Sequence, residues 1–186
     1  MSQWHFVVIA MLCAQAAGAQ TVVMPEPALD ASRAALRDQL LQFRDSLNTV
    51  HAAAARLQRD YRQASPAVLS SRARVMSEAC ARSARNVAPA RTTVISVKTN
   101  DPARLRRRGE MVRALEQLGA VLSRCQADFQ ALSRPGQEEK VRGYGNPRAI
   151  RVQGSIRQYE RALSSFFAAM GIKVFPLGSR VRPLAG

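Results

Sequence analysis

A long stretch between residues 30 and 61 carries apolar side chains at alternating steps of four and three residues. An average step of 3.5 residues keeps these side chains on one stripe of an α-helix, whereas a β-strand would need a period of two. The pattern predicts a helix over about residues 28–64 whose apolar stripe must be covered by partner helices. The stripe consists of Leu36, Leu40, Phe43, Leu47, Val50, Ala54, Leu57 and Tyr61.

Three further segments carry shorter stripes and predict helices over about 66–87, 102–133 and 147–170. In the last two, apolar residues again step by three and four, from Leu115 to Leu132 and from Ala149 to Met170. Each segment starts with a capping residue followed by proline, which is typical of a helix N-terminus. The three pairs are Ser65-Pro66, Asp101-Pro102 and Asn146-Pro147.

Two segments between these helices lack a helical stripe. Residues 88–101 contain Pro89 and a largely β-branched run from Thr92 to Val97, so we predict an extended connector. Residues 134–146 read as a polar loop, mobile at residues 143–145. Four striped helices without strands predict an all-α fold, an elongated antiparallel four-helix bundle. It occupies residues 20–177 as one domain, and residues 178–186 form a flexible tail.

The first nineteen residues have the features of a secretory signal peptide. Residues 4–12 form an apolar core, and Ala17-Gly18-Ala19 supplies small residues where a signal peptidase cleaves, so we expect cleavage before Gln20. A membrane anchor is the alternative, but a bilayer requires roughly 20 apolar residues and this segment is shorter. We therefore expect an exported protein, periplasmic or secreted, with no membrane span after signal cleavage.

The mature chain keeps two cysteines, Cys80 and Cys125, because Cys13 lies in the signal segment. An even pair in an oxidising compartment predicts a disulfide, and two buried free thiols are the alternative. Both cysteines lie on apolar stripes. They reach the same height in the bundle only if residues 88–101 climb roughly 20 Å along it.

The mature chain shows no recognisable catalytic or metal-binding pattern. His51 is its only histidine, and Cys-x-x-Cys pairs and phosphate-cradling glycine loops are absent from the sequence. Di-iron and haem sites in helical bundles use histidines that the three later helices lack. We therefore expect a non-enzymatic protein with no cofactor and no metal site.

The net charge of +15 is the excess of 28 basic over 13 acidic residues, and only three of the basic residues are lysines. Arginine grips carboxylates and phosphates with paired hydrogen bonds, although an arginine-rich composition is also what a GC-rich genome encodes. One concentration, at the start of the 102–133 helix, adds to the positive end of the helix dipole and is a candidate anion site. Its members are Arg104, Arg106, Arg107 and Arg108. A second basic patch consists of Arg142, Arg148, Arg151 and Arg157.

These observations favour an interaction or structural module of the cell envelope. Its expected partner is another protein, or a second copy of the chain, docked on a helical surface. The part of the first stripe around Leu36 to Phe43 is expected to lie beside the connector rather than beside a helix. It is therefore where we expect the stripe to be least covered and a partner to dock. The alternative function is binding of anionic envelope polymers or lipid head groups through arginine patches. Nucleic acid is not an expected partner, because the patches offer one aromatic side chain for stacking.

Overall fold

The computed structural model describes residues 31–172, which form an all-α fold without strands in that range. The helices in chain order are α1 (Ala31–Asp60), α2 (Pro66–Arg85), α3 (Val87–Ile95), α4 (Pro102–Leu132), α5 (Glu138–Lys140) and α6 (Asn146–Ala169). A π-helical turn, Val141–Gly145, joins α5 to α6. No helix between residues 31 and 172 combines the length and apolar character that a membrane span requires. The predicted signal peptide and the predicted tail lie outside the described residues.

The four long helices α1, α2, α4 and α6 pack against each other around one apolar core. The stripe of α1 is buried from Leu36 to Leu57, and Tyr61 at its end is half-buried. The predicted stripes of α4 and α6 are buried at every position. α2 contributes smaller side chains, among them Ala73, Ala79 and Ser83. The stripes read from the sequence are therefore confirmed as the core.

Contacts between neighbouring long helices pair their residues in inverse sequence order. Ser70 of α2 donates a hydrogen bond to the carbonyl oxygen of Ser133, which caps α4, and Ser77 of α2 donates to that of Gln126. The contacts between α1 and α2 and between α4 and α6 follow the same inverse order. They are Arg72 with Asp60, Ser83 with Ser46, Arg148 with Asp128, and Gln158 with Gln117. An antiparallel bundle predicts this order.

The predicted disulfide is confirmed between Cys80 of α2 and Cys125 of α4. Their sulfur atoms lie 2.06 Å apart and their Cα atoms 6.0 Å apart. Both residues are buried in the core, as their places on the two stripes imply. The bond fixes the register of α2 against α4.

The prediction of an extended connector over 88–101 was wrong, because residues 87–95 form α3. The Thr-Thr-Val-Ile run costs only a few tenths of a kcal/mol per residue in helix propensity. Burial of Ala90 and Val94 against the core outweighs that cost. Pro89 lies within the first turn of α3, where its missing N–H leaves no helical hydrogen bond unmade. Gly119 of α4 accommodates the start of α3, since a Cβ there would lie 3.1 Å from a methyl group of Val87.

The prediction of a mobile polar loop over 134–146 was also wrong beyond residue 137. Residues 138–145 are helical and run directly into α6, with Val141 and Gly145 buried. Pro147 has no N–H to donate to the carbonyl group four residues earlier, and the wider π-helical turn lies at that place. Asn146 is therefore a helical residue rather than a cap.

The upper part of α1 is covered, which corrects the expectation of an exposed stripe there. Leu36, Leu40 and Phe43 are at most 7% exposed. α3 lies alongside this part, where the hydroxyl group of Thr93 hydrogen-bonds to the side-chain oxygen of Gln39 at 2.5 Å. The segment 88–101 thus lies beside the upper part of α1, as expected, but its residues up to Ile95 are helical.

Candidate functional site

The four arginines at the start of α4 do not form one cluster. At about 100° per residue, Arg104, Arg107 and Arg108 share an arc of roughly 100°, and Arg106 projects from a different side of the helix. Arg108 donates from Nη1 to the carbonyl oxygen of Val97, 2.8 Å away. Arg104 instead lines a cavity at the end of the bundle.

Carboxylates of α4 and its cap take up part of this charge. Asp101 accepts hydrogen bonds from the N–H groups of Ala103 and Arg104, so it caps the helix, and it also lies 3.5 Å from the Arg104 guanidinium. Glu110 accepts from Arg106 at 3.1 Å and from Arg107 at 2.7 Å. Hydrogen bonds from Arg107 and Arg106 hold the pKa of Glu110 below its usual value. Glu110 thus stays ionised to a lower pH.

The second basic patch is also divided. Arg142 donates to the carbonyl oxygens of Arg62 and Ala64 at 3.0 and 3.3 Å, which ties the π-helical turn to the end of α1. Arg148 pairs with Asp128 at 2.9 Å. Its guanidinium also lies over the ring of Tyr144, 5.5 Å from the ring centre.

Arg151 and Arg157, the other two members of this patch, are exposed on different sides of α6. Six residues of helix separate them, which corresponds to about 120° around the axis. Arg151 lies next to α4, where it lines a groove between the two helices. Arg157 therefore does not contribute to the same surface.

Three arginines lie in one row along α4, and Arg151 of α6 lies on the same surface. Arg106 and Arg124 are 18 residues apart, which is five turns at about 3.6 residues per turn, and Arg113 deviates from their line by only about 20°. All four side chains are exposed. We call Arg106, Arg113, Arg124 and Arg151 the arginine track.

Three members of the track have no acidic partner. Within residues 31–172, no carboxylate lies within ion-pair distance of Arg113, Arg124 or Arg151, whereas Arg106 pairs with Glu110. A groove of about 230 Å³ between α4 and α6 is lined by both Arg124 and Arg151, and the ion pair of Arg148 with Asp128 lies in the same groove. Its apolar lining residues are Ala120, Val121, Cys125 and Val152.

A larger cavity, of about 540 Å³, lies at the end of the bundle and is called the end cavity here. It is bounded by the first turns of α1, the C-terminal half of α3 with the loop that follows it, the start of α4 and the end of α6. Arg33, Lys98 and Arg104 bring three positive charges to its wall from three different segments.

Sequence reasoning missed Arg113 and Arg124 because it looked for arginines that are close together in the chain. The 7- and 11-residue spacings of Arg106, Arg113 and Arg124 were visible in the sequence as whole helical turns. Lys98 could not have been found, because only the packing of α3 brings its loop beside Arg104.

The described residues carry no metal centre: among residues 31–172, no group of three or more histidine, cysteine or acidic side chains is placed to hold an ion. His51 is half-buried in the middle of α1. No protein-family model, curated protein or solved structure matches this chain.

Proposed function

We propose that this chain is a non-enzymatic interaction module of the cell envelope that binds an anionic polymer along the arginine track. The observation that carries the proposal is the alignment of Arg106, Arg113 and Arg124 on one line of α4, with Arg151 beside it. The line is roughly 27 Å long at 1.5 Å per residue. The envelope location rests on the signal segment, and it remains a prediction.

The spacing of the track suits a ligand with repeated charges. Neighbouring arginines along α4 are about 10 and 16 Å apart, so a single small anion reaches only one of them. An exposed ion pair contributes only about 0.2–1 kcal/mol, because solvent screens it. A polymer that contacts several arginines at once adds these small contributions together, since later contacts form within one complex.

A protein partner on a helical surface has less support. The stripe of α1 that was expected to receive it is buried. The large apolar side chains that are exposed come from five separate elements, one from each. They are Val68, Ile95, Leu105, Tyr144 and Ile150. The described residues therefore offer no extended apolar face for docking.

Titration with dextran sulfate, a linear polyanion, tests the proposal. The triple variant Arg113→Gln, Arg124→Gln, Arg151→Gln is expected to bind about three- to a hundredfold more weakly at low salt, because three ion pairs of about 0.2–1 kcal/mol each are lost. High salt should weaken binding of the unaltered protein, since screening acts on exposed charges. Calorimetry measures both effects.

A matched control removes the same charge from three separate places. Arg59 of α1, Arg134 of the loop after α4 and Arg157 of α6 are exposed and without carboxylate partners among the described residues. Their triple glutamine variant is expected to lose much less affinity. Equal losses in the two triple variants would show that net charge alone drives binding, which would contradict the track.

Two further outcomes also count against the proposal. If the folded, unaltered protein does not bind dextran sulfate at low salt, the proposed function is wrong. If phosphatidylglycerol vesicles bind the protein more tightly than dextran sulfate per unit of charge, lipid head groups replace the polymer as the ligand.

A further inference from the structure

The end cavity combines positive charge with apolar wall, which distinguishes it from the open arginine track. Its cations are Arg33 from α1, Lys98 from the loop after α3, and Arg104 from α4. Among residues 31–172, no carboxylate lines it. Leu36 and Met170 contribute apolar surface, so the cavity presents two kinds of wall to a ligand.

Within the described residues, the charges of Lys98 and Arg104 are only partly neutralised. Lys98 has no carboxylate within ion-pair distance among residues 31–172. Asp101 reaches Arg104, but the same side chain also accepts hydrogen bonds from two backbone N–H groups of α4. The C-terminal end of a helix carries partial negative charge, which would repel an anion. At the end of α3, Arg108 counters this charge, because it donates a hydrogen bond to the carbonyl oxygen of Val97.

The polar part of the wall is held in place by hydrogen bonds within the protein. The side chains of Gln39 and Thr93 bind each other across α1 and α3. Ser96 donates to the carbonyl oxygen of Thr93. These bonds fix the wall between the cations and the apolar side chains before any ligand arrives, which lowers the entropic cost of binding.

We propose that the end cavity binds a small amphipathic anion: one negatively charged head group on a short apolar body. The head group pairs with Lys98 and Arg104, and the body lies against Leu36, Val97 and Met170. A volume of about 540 Å³ lies within the usual range for small-molecule sites. Burial of the apolar body adds binding free energy that the exposed arginine track does not provide. A ligand with a single charge can therefore bind in the end cavity.

Calorimetry with three probes tests this chemistry on the full chain with its disulfide intact. Octanoate carries both the charge and the apolar body, octanol only the body, and inorganic phosphate only the charge. Octanoate is expected to bind saturably at one site, and each of the other two at least about tenfold more weakly. Absence of saturable octanoate binding overturns the proposal. Octanol or phosphate binding as tightly as octanoate overturns it as well.

Methionine methyl resonances locate the binding site. Within residues 31–172 the methionines are Met76, Met111 and Met170, and only Met170 lines the end cavity. Octanoate is expected to shift the Met170 resonance and to leave Met76 and Met111, which are fully buried in the core, unchanged. An unmoved Met170 resonance at saturation would place the ligand elsewhere and overturn the assignment.

Charge variants separate this site from the arginine track. Lys98→Gln with Arg104→Gln is expected to weaken octanoate binding about two- to thirtyfold, because both partners of the head group are lost. The triple track variant at Arg113, Arg124 and Arg151 is expected to bind octanoate as before. The proposal is wrong if the double variant keeps full affinity or the track variant loses it. Either result leaves the dextran sulfate test of the track untouched.

Discussion

The ring of Tyr159 in α6 meets the ring of Phe43 in α1 edge to face, with ring centres 5.3 Å apart and planes at 81°. Tyr159 is fully buried, and its hydroxyl group has no hydrogen-bond partner among the described residues. A buried hydroxyl without a partner costs stability, and burial also raises the pKa of that hydroxyl, although nearby Arg44 opposes the shift. Tyr159 thus packs well through its ring but brings into the core a hydroxyl group that forms no hydrogen bond with the described residues.

Tyr159→Phe is therefore expected to raise the free energy of unfolding by about 1 kcal/mol, or leave it unchanged. The raised pKa means that the folded protein keeps the proton longer than the unfolded chain does. Stability is full below the ordinary tyrosine pKa of about 10 and falls as the pH rises above it. Tyr159→Phe should reduce this alkaline loss. Urea unfolding at neutral and alkaline pH measures both effects.

Tyr61→Phe is the control for this substitution. Tyr61 is half-buried, and its hydroxyl oxygen accepts a hydrogen bond from Arg62 at 2.7 Å. Its replacement should not raise stability, and the alkaline loss should remain. A clear destabilisation by Tyr159→Phe would mean that its hydroxyl group has a partner in solution, which is contrary to the structure.

The disulfide between Cys80 and Cys125 closes a loop of 45 residues. Its removal by the double alanine substitution is expected to lower the free energy of unfolding by about 3–4 kcal/mol, mainly because the unfolded chain gains freedom. Reductant should destabilise the unaltered protein and have no effect on the double variant. Intact mass after reduction under denaturing conditions should rise by two hydrogen atoms. An unchanged mass would show that the thiols are free.

Arg142 is expected to stabilise the fold rather than bind a ligand. Arg142→Gln removes two charge-assisted hydrogen bonds to carbonyl groups at the end of α1 and should cost about 1–2 kcal/mol. Arg157→Gln removes the same charge from an exposed site that has no partner among residues 31–172, and its effect should stay within about 0.5 kcal/mol. Denaturant unfolding compares the two variants. If their effects are equal, the link from Arg142 to α1 does not contribute to stability.

Glu110 is expected to limit polymer binding at the upper end of the arginine track. Glu110→Gln leaves Arg106 and Arg107 without their shared carboxylate, so dextran sulfate should bind about two- to fivefold more tightly. Glu78→Gln on α2 adds the same net charge away from the track, and a smaller gain is expected there. Calorimetry at low salt measures both. An equal gain in the two variants would argue against a local role for Glu110.

The apolar stripes of α1, α4 and α6, the disulfide and two of the three cap-plus-proline helix starts were correctly predicted from the sequence. Helical periodicity is a local property of side-chain spacing, so it can be read without knowing the partner helices. Asn146 was wrongly predicted to cap a new helix, whereas the π-helical turn runs directly into α6 there. A capping residue followed by proline looks the same in the sequence whether a loop or a π-helical turn precedes it. The helical state of residues 87–95 was also missed, because burial of Ala90 and Val94 overrides local propensity.

The sequence by itself determined which residues form the core, because an apolar stripe must leave water whatever its partner is. Only the tertiary structure decided which arginines act together. Hydrogen bonds to Val97, Arg62 and Ala64 hold Arg108 and Arg142 within the protein. The turns of α4 and its packing on α6 align the arginine track, and α3 folding against α1 brings Lys98 beside Arg104. Charges act through distances in space, which the order of residues along a chain does not specify.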